Sequence, residues 1–403
     1  MVCAAMRILY AAMKYDYGKP EHGFSFEHYN FYYSLLHMGH DILYFDYMTL
    51  MHQHGRDRMN RRLKEVVALE KPDLLFSVLF TDQFDPLVLR EFTETRLPTV
   101  NWFCDDHWRF DNYSSEWAHC FKWVITTAAS ALPKYASLGY RNVIKSQWGC
   151  NDVLYRKMDV PLKYDVAFVG QPHGNRRQVI HTLRKAGINV HVWGGGWESG
   201  RLSQEEMIRV FNQSRINLNL SNASMPTSAL PPVLTHTAHL SDTVRGRLSR
   251  SLDVIPFGSQ VKAMGKGWLS GLRDPLTASI DPEPTESSEV HYSDQIKGRN
   301  FEVPGCGGFL LTGMAENLGE YFEIGKEVAH FSDRHDLVEK VRYYLKHEDE
   351  RAAIAQAGYE RILREHTYVH RFRDIFGQMG LSGSSVIDLA DLKAQPGSTQ
   401  EVQ

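Results

Sequence analysis

The chain has 403 residues, enough for two domains of ordinary size, each able to bury its own core. With 43% hydrophobic and 23% charged residues, its composition is that of a globular protein rather than a disordered one. Lys and Arg total 45 against 48 Asp and Glu, a net charge of −3, which excludes a general electrostatic pull toward nucleic acid or anionic membrane. The five cysteines, Cys3, Cys104, Cys120, Cys150 and Cys306, are odd in number and lack CxxC spacing. They read as thiols kept reduced in a cytoplasmic compartment. Among the 19 histidines there is no HExxH or Cys/His ligand spacing, so no structural zinc is expected.

In chain order, the opening VCAAMRILYAAM is apolar, but Arg7 interrupts it and no basic segment precedes it, so it predicts a first buried strand rather than a signal peptide. No apolar run is long enough to span a bilayer. Strands are then predicted at DILYFDY, DLLFSVLF, PTVNWFCDD, WVITTA and NVIKSQWG, with helices at HYNFYYSLLHMG and LKEVVALEKP. Short apolar strands alternating with helices are the signature of a parallel sheet covered on both faces. The same unit restarts after Pro161: strand YDVAFVG, a turn and a helix, strand INVHVW and a Gly-rich loop, helix EEMIRVFNQSR, strand INLNLS. The fold class predicted is therefore α/β, with two Rossmann-like doubly wound domains facing a cleft. The boundaries expected are 1–157 for the first domain and 158–345 for the second. An insertion at 222–294 is rich in Ser, Thr and Pro, helices at 346–380 cross back to the first domain, and a flexible tail occupies 381–403.

One segment concentrates chemistry. In QIKGRNFEVPGCGGFLLT, Lys297, Arg299 and Glu302 precede Gly307 and Gly308 and the apolar strand Phe309–Thr312. Cations neutralise a diphosphate, a carboxylate accepts from ribose hydroxyls, and bare backbone lets a ligand approach, a combination that suits a sugar nucleotide. The plainer alternative is a helix closed by a glycine cap before a buried strand. Gly170, Arg176 and Arg177 stand in a strand-to-helix turn whose free N–H groups favour phosphate, unless the arginines are merely solvated. Gly194 and Gly195, opening the run Gly194–Gly196 between Trp193 and Trp197, would present backbone to a nucleobase, a weak signal for a lone glycine run.

In the first half, Asp105, Asp106 and His107 follow the strand VNWFC, where a Rossmann strand delivers side chains to the cleft. They are the candidates for a general base, should the reaction need one. An Asp-Asp pair also suits a divalent metal, or simply a helix N-cap. Lys14, Tyr15, Tyr17 and Gly18 follow the first strand and should border the same cleft, with aromatic faces suited to an acceptor sugar or base.

The stretches RNFEVPGCGGFLLT, NLGEYFEIGKEVAHFSD and RAAIAQAGYERILREHTYVHRF resemble the group 1 glycosyltransferases, in particular the branch typified by CgeB-type spore maturation proteins. The resemblance is strong over the last quarter of the chain and loose elsewhere. It implies a GT-B architecture and a hexosyltransferase-like enzyme using a nucleotide-diphosphate sugar, a UDP-sugar by preference, with donor in the second domain and acceptor in the first. Glu302 matches the second glutamate of the family's paired motif, which holds the donor ribose; eight positions earlier, where the first glutamate belongs, stands Asp294. Gly170, Arg176 and Arg177 match the turn that the family sets against the diphosphate, and Ser221 matches a serine facing the donor, though a serine ending a strand is also a common turn former. Retention without a metal cofactor is implied. Catalysis then rests on charge preorganised at the leaving diphosphate, from Lys297, Arg299 and Arg177. The acceptors implied are a glycan, a protein, a small molecule or a modified DNA base. The basic clusters Arg245–Arg250 and Lys262–Lys266 keep nucleic acid open as a partner without favouring it. Two other classes stand as alternatives. An NAD(P)-dependent oxidoreductase would need a GxGxxG followed by a ribose-binding acid, which the chain lacks. A non-catalytic nucleotide or glycan-binding module would keep Glu302 and the cations and bind without turnover.

Overall fold

The computed structural model describes residues 5–226 and 292–381. Most of the segment read as an insertion, its two basic clusters, Cys3 and the tail beyond 381 lie outside the described residues. The six strands expected in the first half all form: β1 Arg7–Ala11, β2 Asp41–Phe45, β3 Leu74–Ser77, β4 Thr99–Phe103, β5 Trp123–Thr126 and β6 Val143–Lys145. They make one sheet of order β2-β1-β3-β4-β5-β6, with parallel neighbours throughout. All five residues of β4 are buried, as expected of a central strand covered by helices on both faces.

The second half repeats the plan with β7 Tyr164–Val169, β8 Val190–Trp193 and β9 Ser214–Asn219. A short antiparallel pair, β10 Asn222–Pro226 with β11 Tyr292–Asp294, flanks the undescribed stretch. The sheet then resumes with β12 Leu310–Gly313 and β13 Ala329–Phe331, in the parallel order β13-β12-β9-β7-β8. This is an α/β architecture of two doubly wound sheets. In each, one strand has its successors on opposite sides: β1 lies between β2 and β3, and β7 between β8 and β9. At such switch points the connections leave in opposite directions and open a crevice at the carboxyl ends of the strands.

The last two helices tie the halves together. The helix Glu348–Glu365 packs on the helix Arg299–Gly305 of the second half. The chain then crosses back. Cys150 N donates to His366 O and Tyr368 N donates to Cys150 O, each at 2.9 Å. Thr367 caps the final helix, Tyr368–Gln378, whose Tyr368, Phe372 and Phe376 enter the core that holds Ile8, Tyr10 and Trp102 of the first sheet. The ring centroids of Phe372 and Phe76 of β3 are 5.7 Å apart. The first core is thus closed by the chain's own C-terminal helix. Phe372→Ala should cost about 3–5 kcal/mol in denaturant unfolding, the range for a buried aromatic truncated to a cavity. The exposed Leu69→Ala should stay within about 0.5 kcal/mol of wild type.

Candidate active site

The carboxyl ends of β7 and β9 gather three cations. Arg176 opens the helix Arg176–Lys185 and is buried; its Nη1 donates to Gln171 O and its Nη2 to Leu220 O, both at 2.9 Å, so it spans the switch point. Arg299 opens the helix Arg299–Gly305 and donates from Nε to Val169 O, the end of β7, at 3.3 Å. Lys297, two residues earlier, is half-buried beside them. A buried amide network fixes this loop. Asn300 Oδ1 accepts from Lys297 N and from Asn219 Nδ2, and Asn219 Nδ2 also reaches Thr312 Oγ1, all at 2.9 Å.

These charges oppose one another. Burial, then the Arg176 guanidinium, push the Lys297 ammonium down to about 7, against the pull of Asp105 and Asp294. Burial and Arg299 lower Arg176 to about 10. His173, in the turn between β7 and the helix that Arg176 opens, is held neutral, down to about 3, by burial and by Arg176 and Lys297. Crowded, desolvated cations of this kind are relieved by a bound anion.

Glu302 lies on the first turn of the helix Arg299–Gly305 and is wholly buried. Its carboxylate pairs with Arg299, accepts from Tyr155 Oη at 2.7 Å, and stands 3.5 Å from Asn30 Nδ2 of the first half. In this arrangement it joins both halves and the connection between them.

The glycines and the remaining donor candidates are packed against the protein itself. A Cβ on Gly194, at φ +139, would stand 2.4 Å from Gly170 O, and Gly170 O also accepts from Trp197 Nε1 at 2.7 Å. Gly195 sits under the Arg201 guanidinium. A Cβ on Gly307 would meet Lys157, and one on Gly308 would meet Phe211 O. Both halves of the plainer reading hold here: a helix, then Gly307 at φ +68 before β12. Arg177 donates to Gly196 O at 2.6 Å and lies over the Trp197 ring, which shapes the Gly-rich loop. Ser221 Oγ donates to Met314 O at 2.8 Å, bracing the ends of β9 and β12.

On the first sheet, Asp105, Asp106 and His107 follow β4 but point three ways. Asp105 lies 3.3 Å from Gln295 Nε2 of the second half. Asp106 is buried beneath it, accepting from Tyr135 Oη at 2.9 Å. Burial pushes its carboxyl up to about 6 against the hydrogen bonds it receives. His107 Nε2 is 3.3 Å from Glu316, with burial lowering its pKa against Glu316 and Asp105. Tyr17 and Asp105 line a cavity of about 180 Å³ at the ends of β1, β3 and β4. Tyr15 instead stacks on Phe24, with the Lys14 ammonium 5.7 Å from the Tyr15 ring. Gly18, at φ +69, packs on Met48. Among the described residues, no group of three or more His, Cys, Asp or Glu is arranged to hold a metal ion, and no helix is long and apolar enough to cross a membrane.

Several contributors had no signal in the sequence: His173, the Asn219–Asn300–Thr312 network, Tyr155, and Glu27 in the cavity wall. Against this geometry, residues 176–248 and 280–377 match the profile of Glyco_trans_1_2, a family described as glycosyl transferase-like. Over those segments the chain is similar to a glycosyl transferase-like family. It is thereby an enzyme of the glycosyltransferase class, and the oxidoreductase alternative falls away. The matched segments include Arg176, Lys297, Arg299 and Glu302. No curated protein matches the sequence. Among solved structures, the fold is similar to HepE of Anabaena, determined in complex with UDP-glucose, with a TM-score of 0.55 and 13% identity over 93% of this chain and 99% of that one. A glycosyltransferase from Rickettsia africae is similar with a TM-score of 0.53 and 8% identity, covering 94% of this chain and 98% of that one. Identities this low speak to the fold, which is GT-B.

Two outcomes follow for the charged groups. In Glu302→Gln, Arg299 loses its counter-charge, and unfolding should become easier by roughly 3 kcal/mol. That is the low end for a broken buried pair, because 26% of the Arg299 side chain remains in solvent. Asp106 has its folded-state pKa raised, so the folded state holds its proton more tightly than the unfolded chain and stability falls as pH rises from about 4 to about 6. Asp106→Asn escapes this penalty. Between pH 4 and pH 7, urea unfolding should show the variant gaining on the order of 2–3 kcal/mol on wild type.

Proposed function

We propose that the chain transfers a glycosyl group from a nucleotide-diphosphate sugar, most favourably a UDP-sugar, to an acceptor hydroxyl. The donor is assigned to the second half, residues 158–345, and the acceptor to the first, residues 1–157. Within the group 1 enzymes we place it in the CgeB-type branch on the strength of RNFEVPGCGGFLLT. The observation that carries the reading is the cluster of Lys297, Arg176 and Arg299 at the switch point of the second sheet, in which Arg176 opposes Lys297, Arg299 opposes Arg176, and one buried carboxylate, Glu302, compensates Arg299. A diphosphate is the ligand whose charge relieves that repulsion, and a crevice outside parallel strands is where a nucleotide docks. The UDP-glucose bound to HepE supports the choice of base.

The reaction proposed proceeds with retention. The bond from the anomeric carbon to the diphosphate oxygen breaks and a bond to the acceptor oxygen forms on the same face. The hydroxyl proton passes to the departing diphosphate. Lys297 and Arg299 act as the catalytic charges, stabilising the anion as it develops, and Arg176 ties the ends of β7 and β9 together beside them. On this reading their positive charge plays the part that a divalent metal would play at the diphosphate. Glu302 fixes the Arg299 guanidinium, so in this arrangement it serves the donor through Arg299, with a ribose contact requiring it to leave Tyr155.

The test is a thermal-shift panel of nucleoside diphosphates and their sugars. At a hundred times its dissociation constant, a donor should stabilise wild type by about 2.7 kcal/mol. UDP and UDP-sugars should give the largest shift and Lys297→Met should lose it. Lys297→Met should also lower turnover by about a hundredfold, while EDTA should leave wild-type turnover unchanged. A panel in which no nucleoside diphosphate shifts the melting point would refute the assignment.

A further inference from the structure

The cavity of the first half has a chemistry of its own. It sits at the carboxyl ends of β1, β3 and β4, the switch point of the first sheet, and its volume of about 180 Å³ is below the range of about 300–1,000 Å³ usual for drug-sized ligands. On that scale the space suits one six-membered ring better than a whole nucleotide. Three carboxylates line it, Asp16, Glu27 and Asp105, against one guanidinium, Arg109. Arg109 is already engaged, donating to Phe80 O at 2.8 Å with its guanidinium 4.0 Å from the Tyr113 ring centre. Asp16 and Asp105 reach across to the second half: Asp16 pairs with Arg201, and Asp105 meets Gln295.

That leaves Glu27 as the carboxylate facing the cavity from the first half's own wall. It stands where the chain enters the helical stretch beginning with His28, and Ser25 contributes a hydrogen bond to it. Burial raises its pKa to about 7, with Asp16 and Asp105 adding to the shift. Apolar faces complete the wall. Tyr17 meets Phe80 edge to face at 5.7 Å, and Tyr17 is held at φ +54, a left-handed conformation that a non-glycine residue adopts at a cost. A carboxylate acceptor beside aromatic faces, in a space for one ring, suits a compound whose rim is hydroxyl donors and whose face is C–H. An anionic compound would meet three carboxylates.

We propose that this cavity is the acceptor subsite, that it takes one uncharged sugar ring, free or at the end of a glycan, and that Glu27 accepts a hydrogen bond from a ring hydroxyl. The proposal rests on the transferase reading above and names its acceptor class. Its position agrees with that reading: Gly298, next to Lys297, packs against Phe26 in the cavity wall, so ring and diphosphate would meet at one seam. The cavity disfavours a nucleic acid acceptor.

Saturation-transfer NMR on the full chain tests it without requiring turnover. The probes are methyl β-glucoside, methyl β-galactoside, methyl β-mannoside and glucose 6-phosphate, each with and without UDP-glucose. At least one methyl hexoside should bind and glucose 6-phosphate should not. Glu27→Gln and Phe80→Ala should each weaken hexoside binding about tenfold while UDP-glucose affinity stays unchanged. Equal or better binding of glucose 6-phosphate overturns the proposal, as does hexoside binding that neither substitution alters. If UDP-glucose binds and no hexoside does, the acceptor class falls and the donor reading stands. If a hexoside binds in the cavity and no nucleotide binds the chain, the donor reading falls alone.

Discussion

The structure turns on a cost: three cations brought together at the end of a parallel sheet, largely out of water. Lys297, Arg176 and Arg299 each sit near another positive charge, and burial has already pushed Lys297 to about 7. Unbalanced charge of this kind is tolerated only where the fold holds it firmly. The main supports are the carbonyls of Val169, Gln171 and Leu220, and the buried Glu302, which compensates Arg299. The supports come from the ends of β7 and β9 and from the helix Arg299–Gly305 itself, so both strands must be in place before the cations can be placed.

The same carboxylate couples the cation cluster to the rest of the chain. Glu302 meets Tyr155 from the connection between the halves and Asn30 from the first half. The C-terminal helices reinforce this link: one packs on the helix that carries Glu302, and the next seals the core of the first sheet. A displacement of one half relative to the other would disturb Glu302, and through it Arg299. This gives a physical route by which a change in the first half is felt at the cation cluster of the second.

Much of the fold was legible in the sequence, because parallel strands buried on both faces leave short apolar runs that need no partner to be read. RILYA, TVNWF and YDVAFV announce themselves, and the restart after Pro161 gives the second sheet. The cations of the site were also legible: Arg176 by its place at a helix start, Lys297 and Arg299 by their spacing before Glu302. The environment of these residues was not. Tyr155 is 147 positions and Asn30 272 positions from Glu302, so nothing local foretells that its carboxylate is buried and shared. Likewise Asp105 and Asp106 are neighbours in sequence, yet the turn after β4 sends one to the cavity and the other under Tyr135. The glycines Gly194, Gly307 and Gly308 looked suited to a ligand because bare backbone always does; the structure fills the space beside them with its own atoms.

The central claim is that the buried cations await a diphosphate, and proton linkage tests it most directly. At pH 8 a Lys297 ammonium lowered to about 7 is mostly neutral in the free protein. A diphosphate beside it raises its pKa, so binding must take up a proton. Calorimetric titration with UDP-glucose at pH 8, in buffers of different ionisation enthalpy, should report uptake of close to one proton by wild type and about none by Lys297→Arg, whose guanidinium stays charged. Binding of UDP-glucose by wild type with no proton uptake would contradict the account and place the diphosphate elsewhere.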